Sequence, residues 1–229
     1  MILSEAEVTA LLLSLRVAGV AVAMALPPAV LVALALAHGR FPGKTIVNGI
    51  VHLPLVMPPV VVGYILLVTL GTRAPLGGWL YDTFGIRFVF SWTGAALASA
   101  IVTFPLQVRA IRLSLEAVDP GLRDAAETLG AGPIDRLFSL TLPLALPGVI
   151  AGAITAFAAS LGEFGAIITF VSNIPGETRT LPLAIYTAIQ SPGGEAMAAR
   201  LAALSIALAF AGLILSELAS RRVKRMVGR

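Results

Sequence analysis

The chain has 229 residues, 58% of them hydrophobic and 12% charged, and a mean hydropathy of +0.94, a balance that excludes an ordinary soluble domain. A net charge of +4 does not indicate a nucleic-acid binder, because the basic residues gather at the ends of apolar runs with no interleaved aromatics. The absence of cysteine excludes disulfides, thiolate metal sites and cysteine nucleophiles.

Several apolar runs reach the roughly 20 residues a helix needs to cross about 30 Å of hydrocarbon, so the expectation is an all-α membrane protein with about five spanning helices. The first span covers residues 12 to 37, with Arg16 near one end and Pro27 and Pro28 inside it. The alternation LALAHG at 34–39 is not read as a cleavage site. Glu5 and Glu7 stand where a signal peptide carries basic residues, and the run from Val8 to Ala37 is too long. The second span covers 46 to 70 and contains Pro54, Pro58 and Pro59, each of which removes a backbone donor and frees a carbonyl that lipid cannot satisfy. That backbone is expected to face protein or a cavity; a packing kink and a pathway-lining role both stand open for Pro58 and Pro59. His52, one turn earlier, reads as a hydrogen-bonded bundle residue. The third span is 89 to 110.

A polar loop follows, about 113 to 143, containing DAAETLGAGPIDRLFSLTLP. Asp119 caps and Pro120 opens a short helix with Leu122, Ala125, Ala126 and Leu129 on one face and Gly130 as its left-handed stop. After Gly132 and Pro133, a second helix carries Ile134, Leu137, Phe138 and Leu142 as an apolar stripe and ends in a turn at Pro143. The fourth span, 144 to 171, contains Glu163. An acid in a span usually faces a bundle interior; a structural or gating carboxylate paired with Arg16 or Arg200 and an interfacial acid are the two readings. Ser172, Asn173 and Thr178 fall in the next loop, where Pro175 and Gly176 read as a turn. Residues 181 to 190 are too short to cross and lie at the interface or re-enter. The fifth span, 196 to 219, stops at RRVKR.

Orientation follows the basic residues. Arg40, Lys44, Arg109, Arg112, Arg123, Arg136, Arg221, Arg222, Lys224, Arg225 and Arg229 lie on one side, against Arg73, Arg87 and Arg179 on the other, with Arg16 and Arg200 near that second boundary. The first side is therefore expected to be cytoplasmic and the N-terminus outside. Trp79 and Trp92 flank the outer loop as interfacial aromatics do.

In the polar loop, Asp124, Ala125, Ala126, Gly130, Leu140, Leu142 and Pro143 stand at the spacing of Glu-Ala-Ala, then glycine, then Ile-x-Leu-Pro. This resembles the permease subunits of binding-protein-dependent ABC importers, with aspartate for glutamate and leucine for isoleucine. The stretches HLPLVMPPVVVGY, GGWLYDTFGIRFVFSWTG, FPLQVRAIRLSLEAVDP and LGEFGAIITFVSNIPGETRTLPLAIYTAIQSPGGEA look like molybdate importer permeases; sulfate permeases share part of the pattern but are longer.

The resemblance implies a type I ABC importer permease fold forming one transmembrane domain over 1–229, set in a bacterial or archaeal inner membrane with a cytoplasmic C-terminus. It implies ATPase coupling through Asp124, Ala125, Ala126, Glu127, Gly130, Leu140, Leu142 and Pro143, and makes Pro58, Pro59, Glu163, Ser172 and Asn173 candidates for the translocation pathway. The implied partners are a second copy of the chain, a cytoplasmic ATPase dimer that binds ATP and Mg, an external oxyanion-binding protein and lipid. No cofactor, metal or catalytic residue is expected in this chain, which lacks a glycine-rich phosphate loop. Tungstate and sulfate are the alternative cargoes. An intramembrane hydrolase using Ser160, His52 or Glu163 is the rival class, but neither a G-x-S-x-G elbow nor an H-E-x-x-H motif is present; a scaffold without transport is a second rival.

Overall fold

The computed structural model describes residues 3–226. The side chains of Arg123, Arg221, Arg222, Lys224 and Arg225, and Arg229 as a whole, which enter the orientation expectation, lie outside the described residues. Among the described residues, four helices are long and apolar enough to cross a membrane, or up to five if one bent pair counts as a single span.

The first helix, α1 (Glu5–His38), begins earlier than its hydropathy suggests because Ser4 caps it. The Ser4 Oγ accepts from the Glu7 amide at 3.3 Å, and the Glu7 carboxylate accepts from the Ser4 amide at 2.7 Å, a reciprocal capping box. Its buried face includes a row of small residues, Ala10, Ser14, Ala18, Ala21, Ala25, Ala29 and Ala33, recurring every three or four positions beside Leu13, Val17 and Leu36. A stripe of that kind admits a neighbouring backbone closely, and α5 (Trp92–Glu116) lies along it. Pro27 and Pro28 stay inside the helix.

The second expected span is not one straight helix. It divides into α2 (Lys44–Val56) and α3 (Pro59–Leu70), bent by 110°. Met57 precedes a proline and is extended, with φ −74° and ψ 143°, since the ring of Pro58 disfavours a helical residue before it. Pro59 then sits in the first turn of α3, where its missing N–H has no intrahelical acceptor to lose. The following loop contains a helix that hydropathy did not indicate, α4 (Pro75–Phe84), closed by Gly85 at φ +67°.

The polar loop forms α6 (Pro120–Thr128) and α7 (Pro133–Arg136), but no turn separates its second helix from the fourth span. The chain passes through one π-helical turn, Leu137–Thr141, directly into α8 (Leu142–Leu161). The Leu142 amide bonds to Leu137 O, five residues back, and Thr141 Oγ1 donates to Arg136 O at 3.1 Å. This wider turn resets the register so that Pro143 falls in the first turn of α8 and ends nothing.

The fourth span also stops earlier than expected, at Leu161 instead of 171. Residues 162–164 break it, and a short α9 (Gly165–Val171) follows. Helix α10 (Leu181–Ile189) is too short to cross and buries Leu181, Leu183, Ala184 and Ala188 against α1 and α11 (Glu195–Met226), the last of which runs past the expected end at 219.

Helix α5 organises the bundle, packing on α1, α2, α8 and α9. At one end a core of Leu36, Ile111, Leu115 and Ala145 joins α1, α5 and α8. At the other, Val17, Leu66, Ile167, Phe170 and Leu183 join α1, α3, α9 and α10.

Candidate functional site

Two helix breaks meet in the bundle. Pro59 opens α3 and Gly165 opens α9, and a Cβ at Gly165 would stand 3.0 Å from Pro59 Cβ and 3.3 Å from the Val60 nitrogen. One turn on, a Cβ at Gly63 would lie 2.6 Å from the Ala166 carbonyl oxygen and 2.8 Å from Thr169 Cβ. Only glycine permits this approach of the two short helices. Glu163 is 8% exposed beside this junction, and its Oε1 accepts from the Ala166 amide at 2.8 Å. It caps α9, supplying an acceptor where a helix start presents unpaired donors.

The expected pairing of Glu163 with Arg16 or Arg200 is corrected. Arg16 lies over the ring of Trp92, 3.7 Å from its centroid, and Arg200 Nε donates to Glu7 Oε1 at 2.8 Å. Each cation has found its partner on α5 or α1, while the start of α9 satisfies the acid. The structure thus brings Pro58, Pro59 and Glu163 to one level. Ser172 and Asn173 follow the other end of α9 and do not join them.

The loop after α9 is internally built. Thr178 is fully buried; its hydroxyl accepts from the Ile174 amide at 2.8 Å and donates to Ser172 O at 3.0 Å. Ser172 holds φ +66°, a left-handed value that non-glycine residues adopt only when their surroundings impose it. The Asn173 side chain accepts from Arg179 Nε at 2.9 Å and donates to Thr187 Oγ1 at 2.8 Å. Sequence reasoning singled out Ser172, Asn173 and Thr178 but missed Arg179 and Thr187 as the partners of Asn173. Its available signal was a basic residue one position short of the helix cap Thr180, ahead of the apolar LPLAIY.

At the opposite end of the bundle, α6 closes with a Schellman turn. Gly130 stands at φ +85°, its amide bonds to Glu127 O at 2.9 Å, and the Ala131 amide bonds to Ala126 O at 3.0 Å. Asp119 Oδ1 caps the other terminus through the Gly121 amide at 2.8 Å. An Arg136–Glu127 ion pair ties α7 to α6. Leu122, Leu129, Ile134 and Phe138 all remain exposed, Leu129 to 89%, so the pair presents an apolar ridge. Asp124 is exposed and Ala126 half-buried, and no bond to the Asp124 carboxylate occurs among the described residues. Leu140 and Leu142 are half-buried and Pro143 is exposed at the junction with α8. α7, the π turn and α8 are continuous, so Ile134 and Phe138 stand on the same helical run as a candidate span.

Among the described residues, a helical bundle whose spans break at one level, and whose polar loop carries exposed apolar side chains on a helix that runs on into a span, has the architecture of a multi-pass membrane protein. Residues 25–225 match the family of binding-protein-dependent transport system inner membrane components, and the chain belongs to that family. It is 58% identical over 229 residues, 100% of both chains, to the molybdenum transport system permease protein ModB of Escherichia coli K12. It is 54% identical over 222 residues, 97% of both chains, to that of Haemophilus influenzae. Such relatives are transport permeases and not enzymes. In fold, it is similar to a chain of a bacterial alginate ABC transporter solved with its alginate-bound periplasmic protein, at TM-score 0.77 and 20% identity, covering 96% of this chain and 80% of that one.

Proposed function

We propose that this chain is the permease subunit of an ATP-driven importer of molybdate. Two copies form the pathway, a pair of cytoplasmic ATPase subunits binds ATP and Mg, and an external oxyanion-binding protein delivers the cargo. The N-terminus faces outward and the loop holding α6 and α7 faces the cytoplasm, in line with its share of basic residues. ATP closes the ATPase pair, the α6–α7 ridge follows it, and α8 carries the motion to the level where α3 and α9 begin. Asp124, Ala125, Ala126, Glu127, Gly130, Leu140, Leu142 and Pro143 serve this coupling. Pro58, Pro59, Glu163, Ser172 and Asn173 act along the pathway, Glu163 by holding α9.

The observation that carries this reading is the exposed apolar set Leu129, Ile134 and Phe138 around a Schellman turn, with Ile134 and Phe138 on the helical run that continues into α8. The identity with molybdenum permeases over the full chain supports the cargo. The test is uptake of radiolabelled molybdate, tungstate and sulfate by the reconstituted complex with its ATPase and binding protein. ATP-dependent accumulation of molybdate is expected; hydrolysis without accumulation of any of the three would rule the reading out.

A further inference from the structure

Five cations lie at the end of the bundle that holds the start of α1, and they are not equivalent. Arg16 is spent on the face of Trp92, and Arg200 on the buried Glu7 carboxylate. Arg73 and Arg87 are exposed, with no side-chain bond among the described residues. Arg179 is half-buried and held, yet its charge is not met. Its Nε donates to Asn173 Oδ1 at 2.9 Å, and Asn173 Nδ2 donates to Thr187 Oγ1 at 2.8 Å, which donates in turn to Leu183 O at 2.8 Å. Every donor and acceptor in this relay is assigned, since a guanidinium has donors alone and Leu183 O can only accept. No carboxylate pairs with Arg179 among the described residues, and neither terminal nitrogen has a partner there.

An arginine oriented by a neutral amide keeps its full charge and its forked pair of donors free for something else. The rigid loop fixes where that fork sits: three successive amides, Glu177, Thr178 and Arg179, all bond to Ile174 O, and Thr178 is buried beneath them. A guanidinium fork matches the edge of a tetrahedral oxyanion, two parallel N–H donors to two oxygens.

We propose that Arg179, set by Asn173 and Thr187, is an oxyanion contact at the mouth of the pathway. This rests on the functional reading above. One fork on a wet surface is weak enough to release what it captures, as a conduction step requires.

The experiment uses the full reconstituted complex with its binding protein. Arg179→Gln is expected to lower the rate of molybdate uptake about ten- to a hundredfold, the worth of a charge-assisted bond pair, while the complex keeps the unaltered affinity for anion-free binding protein. Asn173→Ala keeps the charge but frees the side chain, and is expected to raise the half-saturating molybdate concentration severalfold. Arg179→Lys is expected to restore part of the uptake lost in Arg179→Gln. It and Asn173→Ala carry the test if the glutamine variant does not assemble. Normal uptake by Arg179→Gln would overturn the proposal. So would a loss matched by an equal loss of affinity for anion-free binding protein, which would make Arg179 a protein-docking residue. If the unaltered complex carries no oxyanion, the functional reading itself fails and this contact with it.

Discussion

Arg200 and Glu7 lie 193 positions apart in the chain and meet at 2.8 Å, with the Glu7 carboxylate withdrawn from solvent. The other Glu7 oxygen takes the Ser4 amide at 2.7 Å, so a single carboxylate caps α1 and clamps it to the start of α11. Arg200→Gln would leave the buried charge with its cap alone. Part of Arg200 stays in contact with solvent, so the cost is expected to fall below that of a fully buried pair, on the order of 2–4 kcal/mol. Thermal unfolding in detergent measures it, and the double variant Glu7→Gln/Arg200→Gln should lose less than the two single losses combined.

Helix α8 approaches α5 through glycine. A Cβ at Gly148 would collide with Ser114 Cβ and stand 2.6 Å from Ala110 O, whereas a Cβ at Gly19 of α1 would meet nothing within 4 Å. Gly148→Ala is expected to destabilise the protein by about 1–3 kcal/mol through overpacking. Gly19→Ala should be neutral or stabilise it by up to about 1 kcal/mol through helix propensity. The same melting assay compares them, and equal behaviour would refute the close α5–α8 contact.

Gly130 holds φ +85° with open space around it. Gly130→Val therefore meets no steric neighbour, but forces a β-branched residue into the left-handed region at a cost of about 1–2 kcal/mol. The expected result is a sharp fall in ATP-driven uptake with little change in global melting, because α6 is peripheral. Uptake at the normal rate would remove Gly130 from the coupling role.

The ridge residues Leu129 and Phe138 are 89% and 64% exposed and make no core. Leu129→Asp and Phe138→Asp are each expected to weaken capture of the ATPase subunit by roughly thirtyfold, the effect of losing about 2 kcal/mol at an interface anchor. Copurification and titration of the ATPase onto the permease in nanodiscs would show it; the isolated permease should melt normally.

Glu163 holds the start of α9 through the Ala166 amide. Glu163→Ala is expected to cost about 1–2 kcal/mol by loss of the cap, and Glu163→Gln less, since an amide oxygen can still accept that bond. Trypsin sensitivity at Arg179, a few residues beyond α9, provides a local readout. Equal losses for the two variants would show that charge, and not capping, is the function of this acid.

Much of this was legible in the residues. Asp119, Pro120 and Gly130 set the limits of α6 by local chemistry alone, so the sequence foretold them. The adjacent prolines Pro58 and Pro59 signalled a disturbance in the second run, because a missing donor is a local fact, but not its 110° angle, which depends on what α3 packs against. At Pro143 the same rule failed: a proline that reads as a terminator fits inside a helix once a π turn precedes it. Glu163 was visible as an acid in apolar surroundings, but its partner was assigned by charge when the nearer answer was the open end of α9.

Hydropathy and the capping signals at Asp119, Pro120 and Gly130 were by themselves enough to determine a helical membrane protein with a short helix in its polar loop, since each depends on composition or on neighbours a few positions away. Which arginine meets which acid was decided only by tertiary structure. Arg16 and Arg200 have the same chemistry, and the packing of α1, α5 and α11 gave one an aromatic face and the other a carboxylate, while the loop fold gave Arg179 an amide. The Arg200–Glu7 contact spans 193 positions and the Arg16 contact with Trp92 joins two different helices, so both are set by the path of the chain and no local rule carries that information.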